Sequence, residues 1–174
     1  MKKFILPIVI SLLTISCARV YFPSPQPDFA EELNLIPEKF QGKFQNTVNL
    51  FGDTDSSTYI ITENTIITGK DTIVNDKNNV FKSWGNYFFW NQKIDTSNYW
   101  ICHIIYTNGL KGENEKISYR YISSKIPWDQ FNIETTFKND STGDVYIKDL
   151  NTLQFHLILR MTEDLEITRI NRIK

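Results

Sequence analysis

The feature that most constrains this chain is a period of two that recurs after residue 40. Ile117, Tyr119 and Tyr121 alternate with Ser118 and Arg120. Phe131, Ile133, Thr135 and Phe137 alternate with Asn132, Glu134 and Thr136. Leu153, Phe155, Leu157, Leu159 and Met161 alternate with Gln154, His156 and Arg160. An extended backbone sends successive side chains to opposite faces, so each run describes a strand with one apolar face. Shorter β-rich runs lie at 59–62, 65–68, 80–84, 87–91, 99–106, 145–148 and 165–168. Turn-forming clusters at 52–55, 75–79, 107–114 and 138–144 separate them. The pattern predicts an all-β domain, an antiparallel up-and-down meander of about 8–10 strands. Such a sheet hides its edges best by closing, or nearly closing, into a barrel.

Before the strands, the chain reads differently. Pro23, Pro25 and Pro27 recur at every second position. Proline fixes φ and pushes its predecessor toward extended geometry, so residues 17–27 read as a stiff spacer. Asp28 can cap a short helix over 28–36, with Glu31 placed as in a capping box. Phe29, Leu33 and Ile36 would share its apolar side and Pro37 limits it, which predicts a short leading helix that lids the barrel. Residues 28–174 then form a single domain.

Composition excludes several classes. Of 174 residues, 41% are hydrophobic and 14% aromatic, too many for a disordered tail. Nineteen basic residues against twenty acidic ones show no basic excess, so no nucleic-acid partner is expected. Two cysteines are too few for a disulfide-built scaffold.

The first residues carry an address. Lys2 and Lys3 precede a mostly apolar run over 4–15, long enough for a signal-peptide core and short of the roughly 20 residues a spanning helix needs. The run ends at Leu13-Thr14-Ile15-Ser16-Cys17. This resembles the relaxed lipobox of small Bacteroidota-type outer-membrane lipoproteins. The resemblance implies a signal peptide at 1–16, a lipidated Cys17, membrane attachment through that residue, and a periplasm-facing position at the cell outer membrane. An ordinary cleaved signal at Ser16-Cys17-Ala18 is the alternative. Further on, Gly42-Lys43-Phe44 at the start of the first strand resembles the Gly-x-Trp opening of lipocalin-like barrels, with Phe44 in place of the tryptophan. That resemblance implies a lipocalin-like β-barrel holding a small ligand.

Catalytic patterns are sparse. There is no GxSxG, HExxH, CxxC or phosphate-cradling glycine loop. Cys102 and His103 are adjacent on a strand, so their side chains diverge and form no dyad. Asp53 and Asp55 resemble the first ligands of a calcium loop, but Thr58 and Asn64 occupy the positions of its glycine and glutamate. Asp71-Thr72-Ile73 and Asp140-Ser141-Thr142 resemble a short O-glycosylation motif of exported proteins. No metal, cofactor or enzymatic activity is expected.

Aromatic density over 81–106 is the distinctive chemistry. Trp84, Phe89, Trp90, Trp100 and Tyr106 are candidates to line a pocket for a small apolar ligand. Core filling explains the same residues, since small barrels pack their interiors with side chains. The expected function is a non-enzymatic, lipid-anchored binding module for such a ligand. The alternative is an envelope-assembly or protein-interaction lipoprotein with a solid core.

Overall fold

The computed structural model describes residues 18–50, 53–69, 71–94, 97–109, 115, 117–137, 142–165 and 168–172. They are mostly strand, with one α-helix. In chain order the strands are β1 (Val20–Tyr21), β2 (Gly42–Leu50), β3 (Asp53–Ile61), β4 (Thr65–Thr68), β5 (Asp71–Val74) and β6 (Asn79–Trp84). They continue with β7 (Tyr87–Lys93), β8 (Trp100–Thr107), β9 (Ile117–Tyr121), β10 (Thr135–Phe137), β11 (Val145–Ile147) and, after the helix α1 (Thr152–Leu165), β12 (Thr168–Arg172).

Nine strands make one antiparallel sheet in the order β5-β4-β3-β2-β12-β9-β8-β7-β6. Each wing is a run of consecutive hairpins, as a meander requires, and β12 joins the wings by pairing with both β2 and β9. The edges of this sheet, β5 and β6, are neighbours in the chain. Laid flat, eight strand spacings would separate them by about 38 Å. The connection over 75–78 spans at most about 17 Å. The sheet therefore curls, and Ile73 of β5 and Phe81 of β6 meet in one apolar cluster. Tyr59 on β3 and Tyr119 on β9 touch across the curl, their ring centroids 6.0 Å apart. The edges do not pair as strands, so of the closed or nearly closed barrel that was expected the full closure is not seen.

The curl has a packed interior. Phe40, Phe44, Phe81 and Phe88 are fully buried there. The outer face of β7 and β8 is buried as well. Phe89, Cys102 and Ile104 pack against Phe155, Ile158 and Leu159 of α1 and against a second sheet, β1-β11-β10, in which β1 runs parallel to β11. This two-sided cover is why both faces of β7 and β8 are apolar.

Several expectations are corrected. No helix forms over 28–36; the α-helix is C-terminal. Leu33 N–H donates to the Phe81 carbonyl (2.8 Å) and Ile36 N–H to that of Glu63 (2.6 Å), so the segment binds the sheet edge in irregular form. Phe29 packs on the outer cluster and Leu33 on the inner one, which a single helical face does not allow. An isolated helix of that length is marginal, and tertiary contacts decide the outcome.

The alternation over 153–161 is helix, not strand. Phe155, Ile158, Leu159 and Thr162 are buried at helical spacing, while Leu153 is 71% exposed. Ile158 already breaks the period of two. Asn151 and Gln154 cap the helix reciprocally: Gln154 N–H donates to Asn151 Oδ1 and Asn151 N–H to Gln154 Oε1, each at 3.0 Å. Over 131–137, only Thr135–Phe137 is strand. Trp128–Phe131 forms a 3-10 turn, ended by Asn132 at φ +52°, where an extended chain is broken.

The proline-rich segment is built into the fold and does not stand off as a spacer. β1 pairs with β11, Phe22 is fully buried, and Phe22 and Trp100 exchange backbone hydrogen bonds (2.9 and 2.8 Å). The buried Asn91 side chain accepts from Gln26 N–H (2.7 Å) and donates to the Gln26 carbonyl (2.8 Å), and Lys82 Nζ donates to the Pro27 carbonyl (3.0 Å). Asp53 and Asp55 lie within β3, paired with Leu50 and Val48, where they form no loop.

Candidate functional site

A cavity of about 440 Å³ lies where β9 ends. Its position follows from local sequence. Cross-strand pairs put His103 beside Tyr121 and Ile105 beside Tyr119, so Ile101, His103, Tyr119 and Tyr121 share one face. After Tyr121 the chain dives: Ile122, Ile126 and Trp128 are buried, which leaves Ser123, Ser124 and Lys125 along the rim. Residues 18–20 form the facing wall, with Arg19 held by its own N–H donating to Asp144 Oδ1 (2.8 Å).

Beneath the cavity runs an aromatic column. Trp90 stacks on His103 at 4.2 Å between centroids, and His103 on Tyr119 at 5.9 Å. His103 Nδ1 and the Tyr119 hydroxyl are hydrogen-bonded at 2.5 Å. His103 Nε2 is buried without a partner. Burial, reinforced by the charge of Arg19, pushes the imidazole down to about 4. Burial raises the Tyr119 phenol, with Tyr59 and Cys102 adding to it. Both groups are therefore neutral at pH 7, and the column is polar in its atoms but uncharged.

Cys102 lines the cavity but does not act with His103. Its side chain turns to the outer face, 4.0 Å from the Gln26 carbonyl, and burial raises its thiol far above the ordinary value despite Lys82. A buried thiol with that bias is not a nucleophile. His156 sits apart on α1, against Trp84 (4.6 Å) and Phe29 (5.1 Å). Among the described residues, no three His, Cys, Asp or Glu side chains gather as a metal site.

The aromatics singled out from the sequence do not gather around this cavity. Phe89 is fully buried in the outer cluster and Trp90 is 7% exposed in the inner one. Trp84 is 41% exposed at a hairpin end, stacked on Tyr87. Trp100 lies under the Lys93 ammonium (5.8 Å) and Tyr106 packs on Tyr87 (5.1 Å) and Arg120. Cys17 and the signal peptide lie outside the described residues. So do Asp140 and Ser141, whereas Asp71 and Thr72 are exposed on edge strand β5. The cavity residues not singled out from the sequence include Arg19, Val20, Ile101, Tyr119 and Lys125. The apolar run Val20-Tyr21-Phe22 inside the proline segment was the available signal for a docked strand.

The chain matches none of the protein families, curated proteins or solved structures with which it was compared.

Proposed function

We propose that this protein is a lipid-anchored, non-enzymatic binding module of the bacterial outer membrane, with a lipocalin-like curled barrel and a small ligand held at the end of β9. One observation carries the reading: a cavity of about 440 Å³, within the usual range for small-molecule sites, floored by Tyr119 and Ile101. With Cys17 lipidated, Val20 of the cavity wall would lie within about 10 Å of the anchor. Native mass spectrometry of the full chain taken from membranes tests this. A bound small molecule, together with the mass of acyl chains on Cys17, is the expected result; a bare polypeptide mass from several preparations overturns it.

The exposed Trp84, with Phe29 and Tyr87 beside it, favours a second reading, an interaction protein with a solid core. The packed interior of the curl supports it. Crosslinking through a photoreactive residue at Trp84 in membranes would return one specific protein if this reading holds.

A further inference from the structure

Resting on the reading of the cavity as a ligand site, we propose that it takes a single-chain anionic amphiphile, with Arg19 and Lys125 holding the charged group and Ile101, Val20 and Tyr119 taking the chain. Among the described residues that line the cavity, Arg19 and Lys125 are the only charged side chains, and neither is acidic. Both are exposed, and among the described residues no carboxylate pairs with either. The acid nearest in the bonding pattern, Asp144, accepts from the Arg19 backbone and the Tyr21 hydroxyl and does not line the cavity. Arg19 is thus fixed by its backbone while its guanidinium stays available.

The chemistry divides along the cavity. Its floor is lined by Ile101, His103 and Tyr119, and the two titratable rings there are neutral at pH 7. An anion placed there would lose water without a counter-charge, at a cost of several kcal/mol. At the rim the same anion meets two cations and the hydroxyls of Ser123 and Ser124. An amphiphile satisfies both ends at once. At roughly 30 Å³ per small group, the volume holds about 15 non-hydrogen atoms. That is one chain of medium length, not a diacyl lipid. A carboxylate and a phosphate share the required charge, and a lipid-derived headgroup is separable from a free anion by whether the chain is needed.

The test is calorimetric titration of the purified full chain with decanoate, decyl phosphate, decanol, acetate and inorganic phosphate. Decanoate and decyl phosphate bind one per chain, decanol binds at least tenfold more weakly, and acetate and inorganic phosphate do not bind. The double variant Arg19→Ala, Lys125→Ala loses ten- to a hundredfold in decanoate affinity and leaves decanol unchanged. Both positions are exposed, so the variant keeps the fold. Ser124→Trp at the rim blocks every probe. Decanol binding as tightly as decanoate, with the double variant unaffected, overturns anion recognition and leaves the cavity reading standing. Inorganic phosphate binding as tightly as decyl phosphate overturns the need for a chain. No binding by any probe, or binding that Ser124→Trp does not block, overturns both.

Discussion

The guanidinium of Arg172, on the last strand, lies 4.9 Å over the ring of Phe44, on the first strand of the large sheet. It also donates to the Gln41 carbonyl (2.5 Å) and makes a two-pronged pair with Glu115 (2.8 and 2.7 Å). Gly42 makes room for it. A Cβ there would stand 2.3 Å from Arg172 Nη1, and Gly42 has φ +147°, a conformation other residues avoid. The Gly42-Lys43-Phe44 tripeptide is thus where β12 is fastened to β2, and through them the two wings.

This clamp gives the first prediction. Gly42→Ala destabilises the protein by about 1–3 kcal/mol, through backbone strain and a displaced guanidinium. Arg172→Lys loses the fork geometry and costs about 1–2 kcal/mol, discounted because the pair is partly solvated. Urea unfolding followed by tryptophan fluorescence measures both. A Gly42→Ala midpoint equal to that of the parent would show that the strand start relaxes freely.

Asn91 holds the N-terminal segment. Its side chain is fully buried and satisfies both backbone groups of Gln26. Asn91→Ala leaves two buried backbone groups without partners, a loss of about 2–3 kcal/mol. Limited proteolysis in native buffer should then cut within 18–28 much faster than in the parent. Unchanged protection would mean that β1 and Phe22 suffice to dock the segment.

Cys102 should be inert while the protein is folded. Burial raises its thiol and removes it from solvent. With Cys17 replaced by Ser, a thiol-reactive dye at pH 8 labels the native chain slowly and the urea-unfolded chain at once. Fast native labelling would contradict the packing of β8 beneath Gln26.

His103 makes stability depend on pH. Its folded pKa is held down to about 4, against 6.5 for the free side chain. Between these values the unfolded chain binds a proton that the native state refuses, so stability is full above 6.5 and falls as pH drops toward 4. From pH 7 to pH 5 the loss from this one group is about 2 kcal/mol. His103→Gln should remove most of that slope in urea midpoints measured at the two values. A variant with the parent's slope would assign acid sensitivity to other groups.

Much of the fold is legible in the residues, because a strand's pattern is local. β4 over 65–68 and β9 over 117–121 follow from alternation and turn residues, and the apolar faces on both sides of β7 and β8 announce two-sided burial. The period of two misleads at 153–161, because Leu153, Phe155, Leu157 and Leu159 fit it as well as the buried set Phe155, Ile158 and Leu159 fits a helix. Asn151 and Gln154 were the local tie-breakers. The candidate cavity is nearly illegible. Its two cations, Arg19 and Lys125, are more than a hundred positions apart, and its floor uses Tyr119 and Ile101, which read as ordinary strand residues.

The sequence by itself determined an antiparallel, hairpin-rich sheet and its apolar faces, since these depend on neighbours along the chain. Only the tertiary structure decided that β12 joins the wings, that the proline segment docks beside β8, that the helix lies at the C-terminal end, and that a cavity opens beside β9. Those outcomes depend on which buried faces find each other, and residues such as Tyr59 and Tyr119, or Asn91 and Gln26, meet only after the sheet has curled.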